Sequence, residues 1–185
     1  MKIIAAVLLS SVVISAVHAQ IQLEATNSPT KIETLESVTN AIIVKGLGDA
    51  GSVSVGSGVM AFQLKESFNV DTGARLLGLT LEYTQASFRR REVIDYDELA
   101  LLLKAIDSIL AVNHNVTQLP NFVVEFKTKS GFQVIGIGNQ RQSFIQMHLQ
   151  FGSGERIMVN PTQMVQLRGM LANCQTALEA LGAAK

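Results

Sequence analysis

The chain holds one cysteine, Cys174, in 185 residues. A single thiol excludes an intrachain disulfide framework and a zinc site built on cysteines. Net charge is also missing. Fifteen Lys and Arg are offset by fifteen Asp and Glu, so the strong basic field of a nucleic-acid binder is absent. Charged residues make up only 16% of the chain, yet the 48% hydrophobic content is too high for a disordered one. The length suits one domain. There is one long apolar run, at the very start, and no second, so no transmembrane segment is expected in the mature chain.

That first run reads as an address. Met1 and Lys2 give a short positive start, Ile3 to Val17 is apolar apart from Ser10, Ser11 and Ser15, and Val17-His18-Ala19 offers compact residues where a signal peptidase reads. The run is shorter than the about 20 residues that span a bilayer, so a signal peptide over residues 1–19 is expected rather than an anchor. No cysteine follows it, which excludes a lipoprotein anchor. Loss of Lys2 leaves a mature charge of −1. The protein is therefore expected to be exported, to the periplasm or beyond the cell.

Residues 20–29 are polar and read as a flexible terminus. Thr30 and Glu33 then form a capping-box pattern, with Ile32, Leu35 and Val38 at helical spacing. This predicts a short N-terminal helix over about Thr30 to Asn40. Ala41 to Lys45 reads as a short strand, and Gly46 to Gly58, with five glycines, as loops or a hairpin. Met60, Phe62 and Leu64 alternate with polar or small residues, as do Leu77, Leu79, Leu81 and Tyr83. Period-two alternation marks strands with one row in a core. Asp95 and Glu98 form an acidic capping box ahead of a helical stripe, Leu99, Leu102, Leu103, Ile106, Ile109 and Leu110. The second half repeats the plan. Phe122, Val124 and Phe126 alternate, Lys129-Ser130-Gly131 reads as a hairpin turn, and Ile145, Met147, Leu149 and Phe151 alternate again. Asn160, Pro161 and Gln163 open a last helix with Met164, Leu167, Leu171, Cys174, Leu178 and Leu181 on its buried face.

The fold class expected is α+β: one single domain over residues 30–185, with an antiparallel sheet of about six to eight strands and two amphipathic helices on one face. A strands-then-helix duplication is an open reading, with pseudo-repeats at 41–113 and 121–182. Leu79-Thr80-Leu81-Glu82-Tyr83 matches Met147-His148-Leu149-Gln150-Phe151 in pattern, and Asp95, Leu99, Leu102, Ile106 and Ile109 fall on Asn160, Met164, Leu167, Leu171 and Cys174 at one constant offset. The run Ile94-Asp95-Tyr96-Asp97-Glu98-Leu99, with Phe126-Lys127-Thr128-Lys129-Ser130-Gly131 further on, resembles a pattern in uncharacterised exported bacterial proteins. The resemblance implies a bacterial, exported protein and carries over no activity and no site residue.

Each catalytic or binding motif meets a simpler reading. Gly46-Leu47-Gly48-Asp49-Ala50-Gly51 matches the dinucleotide pattern, but strand or loop follows where a helix must begin. Ser28 and Lys31 match a nucleophile–base spacing that needs a helix Pro29 does not favour. His114 and His148 are the only histidines past the signal, so a zinc site has no pattern to rest on. Asp95, Asp97 and Glu98 cluster where acids stabilise a helix start. Arg89-Arg90-Arg91 reads as a solvated run, and Asn115-Val116-Thr117 as a sequon that matters only in a eukaryotic host.

With no catalytic residue, cofactor or metal ligand to name, the function expected is a non-catalytic binding or interaction module whose partner is a protein or small ligand, not nucleic acid. The candidate surface is the polar outer row of the sheet: Glu125, Lys127, Gln146, His148 and Gln150. One alternative is a small apolar-ligand carrier, with a cavity lined by Phe62, Phe122, Phe126, Phe144 and Phe151. The other is an enzyme without a recognisable motif. Mass spectrometry of the exported protein is expected to find Gln20 at its N-terminus, and an intact Met1 in that fraction would contradict the signal-peptide reading.

Overall fold

Strands that pair only with their chain neighbours dominate the architecture. The computed structural model describes residues 28–141 and 144–183. Its elements run α1 (Lys31–Glu36), β1 (Ile43–Val55), β2 (Gly58–Asn69), β3 (Arg75–Gln85), β4 (Phe88–Asp95), α2 (Tyr96–Ala111), β5 (Asn121–Lys127), β6 (Phe132–Asn139), β7 (Gln146–Phe151), β8 (Arg156–Val159) and α3 (Pro161–Ala183). The strands form two four-stranded antiparallel sheets, β1-β2-β3-β4 and β5-β6-β7-β8. The chain is thus α+β and antiparallel. It is not built on one sheet of six to eight strands: at Asp95 the chain leaves β4 for α2, and the next strand opens a new meander instead of adding to β4. The expected signal peptide over residues 1–19 and residues 20–27 of the expected flexible terminus lie outside the described residues.

Each meander ends in a helix, so the two halves share one plan. The alternation reads through to the registers. In the first sheet Phe62 faces Leu81, and Leu64, Leu79 and Ile94 stand in one row. In the second, Val134, Leu149 and Ile157 stand in one row. These rows and the stripes of α2 and α3 meet in a single cluster of buried residues. Tyr83 of the first sheet stacks on Phe151 of the second at 6.2 Å, and Phe132 meets Phe151 edge-on at 5.2 Å. Cys174 is buried, and burial pushes its thiol up to about 11. Leu181, expected on the buried face of α3, is 46% exposed.

The glycine-rich stretch expected as loops is mostly β1 itself, with a register shift between Asp49 and Gly51. Gly51, at φ +100°, takes a conformation other residues rarely adopt. Gly78 in β3 has a different reason: a side chain there would collide with Ile32 and with the Ile94 carbonyl. Its absence lets α1 lie directly on the sheet, on the face away from the core.

That docking explains two acids whose role was misread. Thr30 and Glu33 form the expected capping box on α1, which is shorter than predicted. Asp95 sits at the N-cap position of α2 but makes no side-chain cap there. Its buried carboxylate instead accepts from the free amides of Lys31 at 2.7 Å and Ile32 at 3.2 Å. Glu98, expected to close the same box, accepts from the Lys129 amide at 2.9 Å and so fixes the β5–β6 turn. Both acids serve distant helix or turn amides, which no local spacing reveals. At its other end α1 is held by Glu36, whose carboxylate takes Lys45 and Lys65 at 2.8 Å each and Ser67 at 2.5 Å. Burial alone would raise the Glu36 carboxyl; the hydrogen bonds from Lys45, Lys65 and Ser67 outweigh it and hold it at about 2. Asp95→Ala is expected to cost about 1–3 kcal/mol, because it strands buried amides, and to speed exchange at Lys31 and Ile32. Unfolding in denaturant with hydrogen exchange checks this; a variant with wild-type stability and protection would contradict it.

Candidate functional site

The strands of the second sheet carry side chains alternately inward and outward, and the register fixes which share a face. Glu125, Ile135, His148 and Met158 form one outward row across β5 to β8. Lys127, Gln133, Gln150 and Arg156 form the next, and Val123, Ile137 and Gln146 the one on the other side. The structure therefore brings Glu125, Lys127, Gln146, His148 and Gln150 to one outer face, with β6 between the two groups.

The face is less polar than the five residues suggest. Val123 is 56% and Met158 62% exposed, Ile135 is fully buried, and Ile137 is half-buried. Sequence reading missed these four because it followed one row of each strand. The signal was present: β6 is apolar on both rows, at Val134, Ile135 and Ile137, so the outer row could not be wholly polar. His148, expected to be exposed, is buried. It stands in mid-row between Ile135 on β6 and Met158 on β8. Both ring nitrogens are buried without a hydrogen-bond partner. An unpaired buried polar group carries a desolvation cost, so this is a place where the fold alone leaves chemistry unsatisfied. Burial, and then the charge of Arg156, lowers the His148 pKa below its ordinary 6.5.

A second polar concavity, of about 450 Å³, lies beside α1 and is lined by Glu33, Glu36, Lys45, Leu47, Lys65, Arg91, Glu92 and Val93. Burial and the nearby Glu33 raise Glu92 to about 7, against the opposing hydrogen bond to Ser130 and charge of Lys127. A larger cleft of about 780 Å³ lies between the β1–β2 and β3–β4 turns and β8.

The other sequence candidates come apart. Lys31 pairs with Asp97 at 2.8 Å, away from any nucleophile–base partnership with Ser28. Gly46, Gly48 and Gly51 lie in β1, with no helix start after them. Arg89, Arg90 and Arg91 are exposed on β4, as a solvated run; Arg89 pairs with Glu82, and Arg90 lies over the Phe88 ring. His114 packs edge-on against Phe122 beyond α2, and Asn115 is exposed in the same loop. The five phenylalanines do not line one space: Phe62 and Phe151 fill the core, while Phe144 is 58% exposed. Among the described residues no helix is long and apolar enough to cross a membrane. In comparisons with known proteins, no family model, no curated protein and no solved structure matches the chain.

Two groups give opposite pH dependences. His148 has a lowered folded pKa, so its stabilising contribution is full above 6.5 and is lost as pH falls through the folded value. Glu92 is raised from 4.5 to about 7, so its contribution is full below 4.5 and is lost as pH rises towards 7. Melting of single variants separates them. The wild type is expected to lose ground to His148→Gln between about pH 7.5 and 5, and to Glu92→Gln between about pH 4.5 and 8. Parallel curves for variant and wild type would contradict either assignment.

Proposed function

We propose that this protein is an exported, non-catalytic binding module whose contact surface is the outer face of the β5–β8 sheet. The observation that carries the reading is the composition of that face. Exposed Val123 and Met158 flank a buried His148 with two unpartnered nitrogens, inside a frame of Glu125, Lys127, Gln146, Gln150 and Arg156. Exposed apolar side chains on both edge strands, interspersed with polar and charged ones, make a mixed surface of the kind protein contacts use. A partner seated there would cover the two exposed apolar side chains and could offer hydrogen bonds near the imidazole. The first sheet differs, because α1 already occupies part of its outer face. The signal-like N-terminus and the resemblance to exported bacterial proteins support a place outside the cytoplasm, where such a module works without nucleotide cofactors.

Photo-crosslinking in the producing cells tests the face. A photoreactive residue at Met158 is expected to give discrete adducts that Val123→Asp suppresses. The same residue at Leu101, 57% exposed on α2, is expected to give none of them. Equal adducts at both positions, or none at Met158, would overturn the assignment of the surface.

A further inference from the structure

We propose that a second copy of this chain pairs with the first along the open edge of β1, antiparallel about Leu47. β1 bonds only to β2 within its sheet. Two hydrogen bonds set which of its backbone groups are used. The Val70 amide donates to the Ile42 carbonyl at 2.9 Å, and the Asn69 amide donates away from β1, to the Ala74 carbonyl at 2.8 Å. Ile42 therefore faces β2, and so do Val44, Gly46 and Gly48 by alternation. The N–H and C=O groups of Ile43, Lys45, Leu47 and Asp49 point to the open side. No backbone hydrogen bond outside the β1–β2 ladder takes them among the described residues.

Charged edge side chains, lysine above all, are one of the devices that blunt natural edges. Here the edge lysine, Lys45, is drawn onto Glu36 at 2.8 Å, and Leu47 is left 60% exposed. The side chains on this face then read cation, leucine, anion: Lys45, Leu47, Asp49, all exposed. That order is its own complement when reversed. A two-fold axis at Leu47 sets Leu47 against the partner's Leu47, Lys45 against the partner's Asp49, and Asp49 against the partner's Lys45. Each opposed pair also exchanges two backbone hydrogen bonds. An ammonium has three donors, so Lys45 can hold Glu36 and the partner's carboxylate together. Asp49 uses Oδ1 for the Gly51 amide at 2.9 Å, and its Oδ2 remains for the lysine. On the other face Gly46 meets the partner's Gly48, and neither carries a side chain. This self-matching charge order selects a second copy over an unrelated extended peptide, and two-fold pairs are the commonest assemblies. The product is one continuous sheet made from two copies of β1-β2-β3-β4. Few residues take part compared with the about 20–30 per side of a standard interface, so the association depends on concentration.

Sedimentation equilibrium from roughly 10 µM to 1 mM covers the range of weak association. The wild-type mass is expected to rise from that of one chain towards two. Asp49→Lys and Lys45→Asp alone each oppose like charges and are expected to weaken the dimer by at least about tenfold. Mixed one to one they restore opposite signs at both pairs and are expected to recover a mixed dimer. Leu47→Pro removes an outward amide without touching the β2 ladder, so it is expected to abolish association while circular dichroism and melting stay as in the wild type. A wild type that stays monomeric throughout overturns the proposal. So do Asp49→Lys and Leu47→Pro variants that associate as the wild type does, or two folded charge variants that fail to recover on mixing.

Discussion

Neither four-stranded meander can bury its inner row alone, and the rest of the structure follows from that constraint. A sheet with one apolar face needs a cover. Here the covers are α2, α3 and the other sheet. Leu79, Leu81 and Tyr83 from one half and Val134, Leu149 and Phe151 from the other lie in one cluster with Leu102, Ile106, Leu167 and Leu171. The Tyr83–Phe151 stack joins the sheets directly, and the Glu98 bond to the Lys129 amide joins α2 to the first turn of the second half. The repeated plan of strands and helix thus meets in one buried cluster.

With the inner faces committed, function is left to the outer ones. The first sheet has part of its outer face closed by α1, seated over Gly78 and pinned at its two ends by Asp95 and Glu36. The second sheet presents Val123, Met158 and the unpaired His148 on its own outer face. The proposed binding is placed there because His148 keeps two buried, unpaired ring nitrogens on the same face as exposed Val123 and Met158. The open edge of β1 is a separate resource. It concerns backbone rather than side chains, and it would join copies without touching the β5–β8 face.

Much of the fold was legible in the sequence because alternation and helical stripes are local. Met60 to Leu64, Leu77 to Tyr83, the caps at Thr30 and Asn160, and the burial of Cys174 along its stripe all follow from residue spacing. What spacing does not carry is the identity of distant partners. Asp95 and Glu98 looked like one capping box, and each serves amides contributed by another part of the chain. The division into two sheets depends on which strand β5 joins, and no alternation encodes that. His148 looked like a solvent-facing residue because its own strand alternates cleanly. Across the register it neighbours Ile135 and Met158, residues 10 or more apart in sequence that meet only once the strands pair. The glycines of β1 read as loop because glycine is poor in strands, yet Gly51 is what lets the strand bulge.

The two meanders share a single core, and Ile106, fully buried on α2, probes it from within. Ile106→Ala should cost roughly 2–5 kcal/mol. Native-state hydrogen exchange resolved by residue then reports where that loss is felt. If the two meanders share one core, slowly exchanging amides of β3 and β6 lose protection together and by the same free energy. Loss confined to one sheet, with the other keeping its wild-type protection, would show two independent cores and contradict the account.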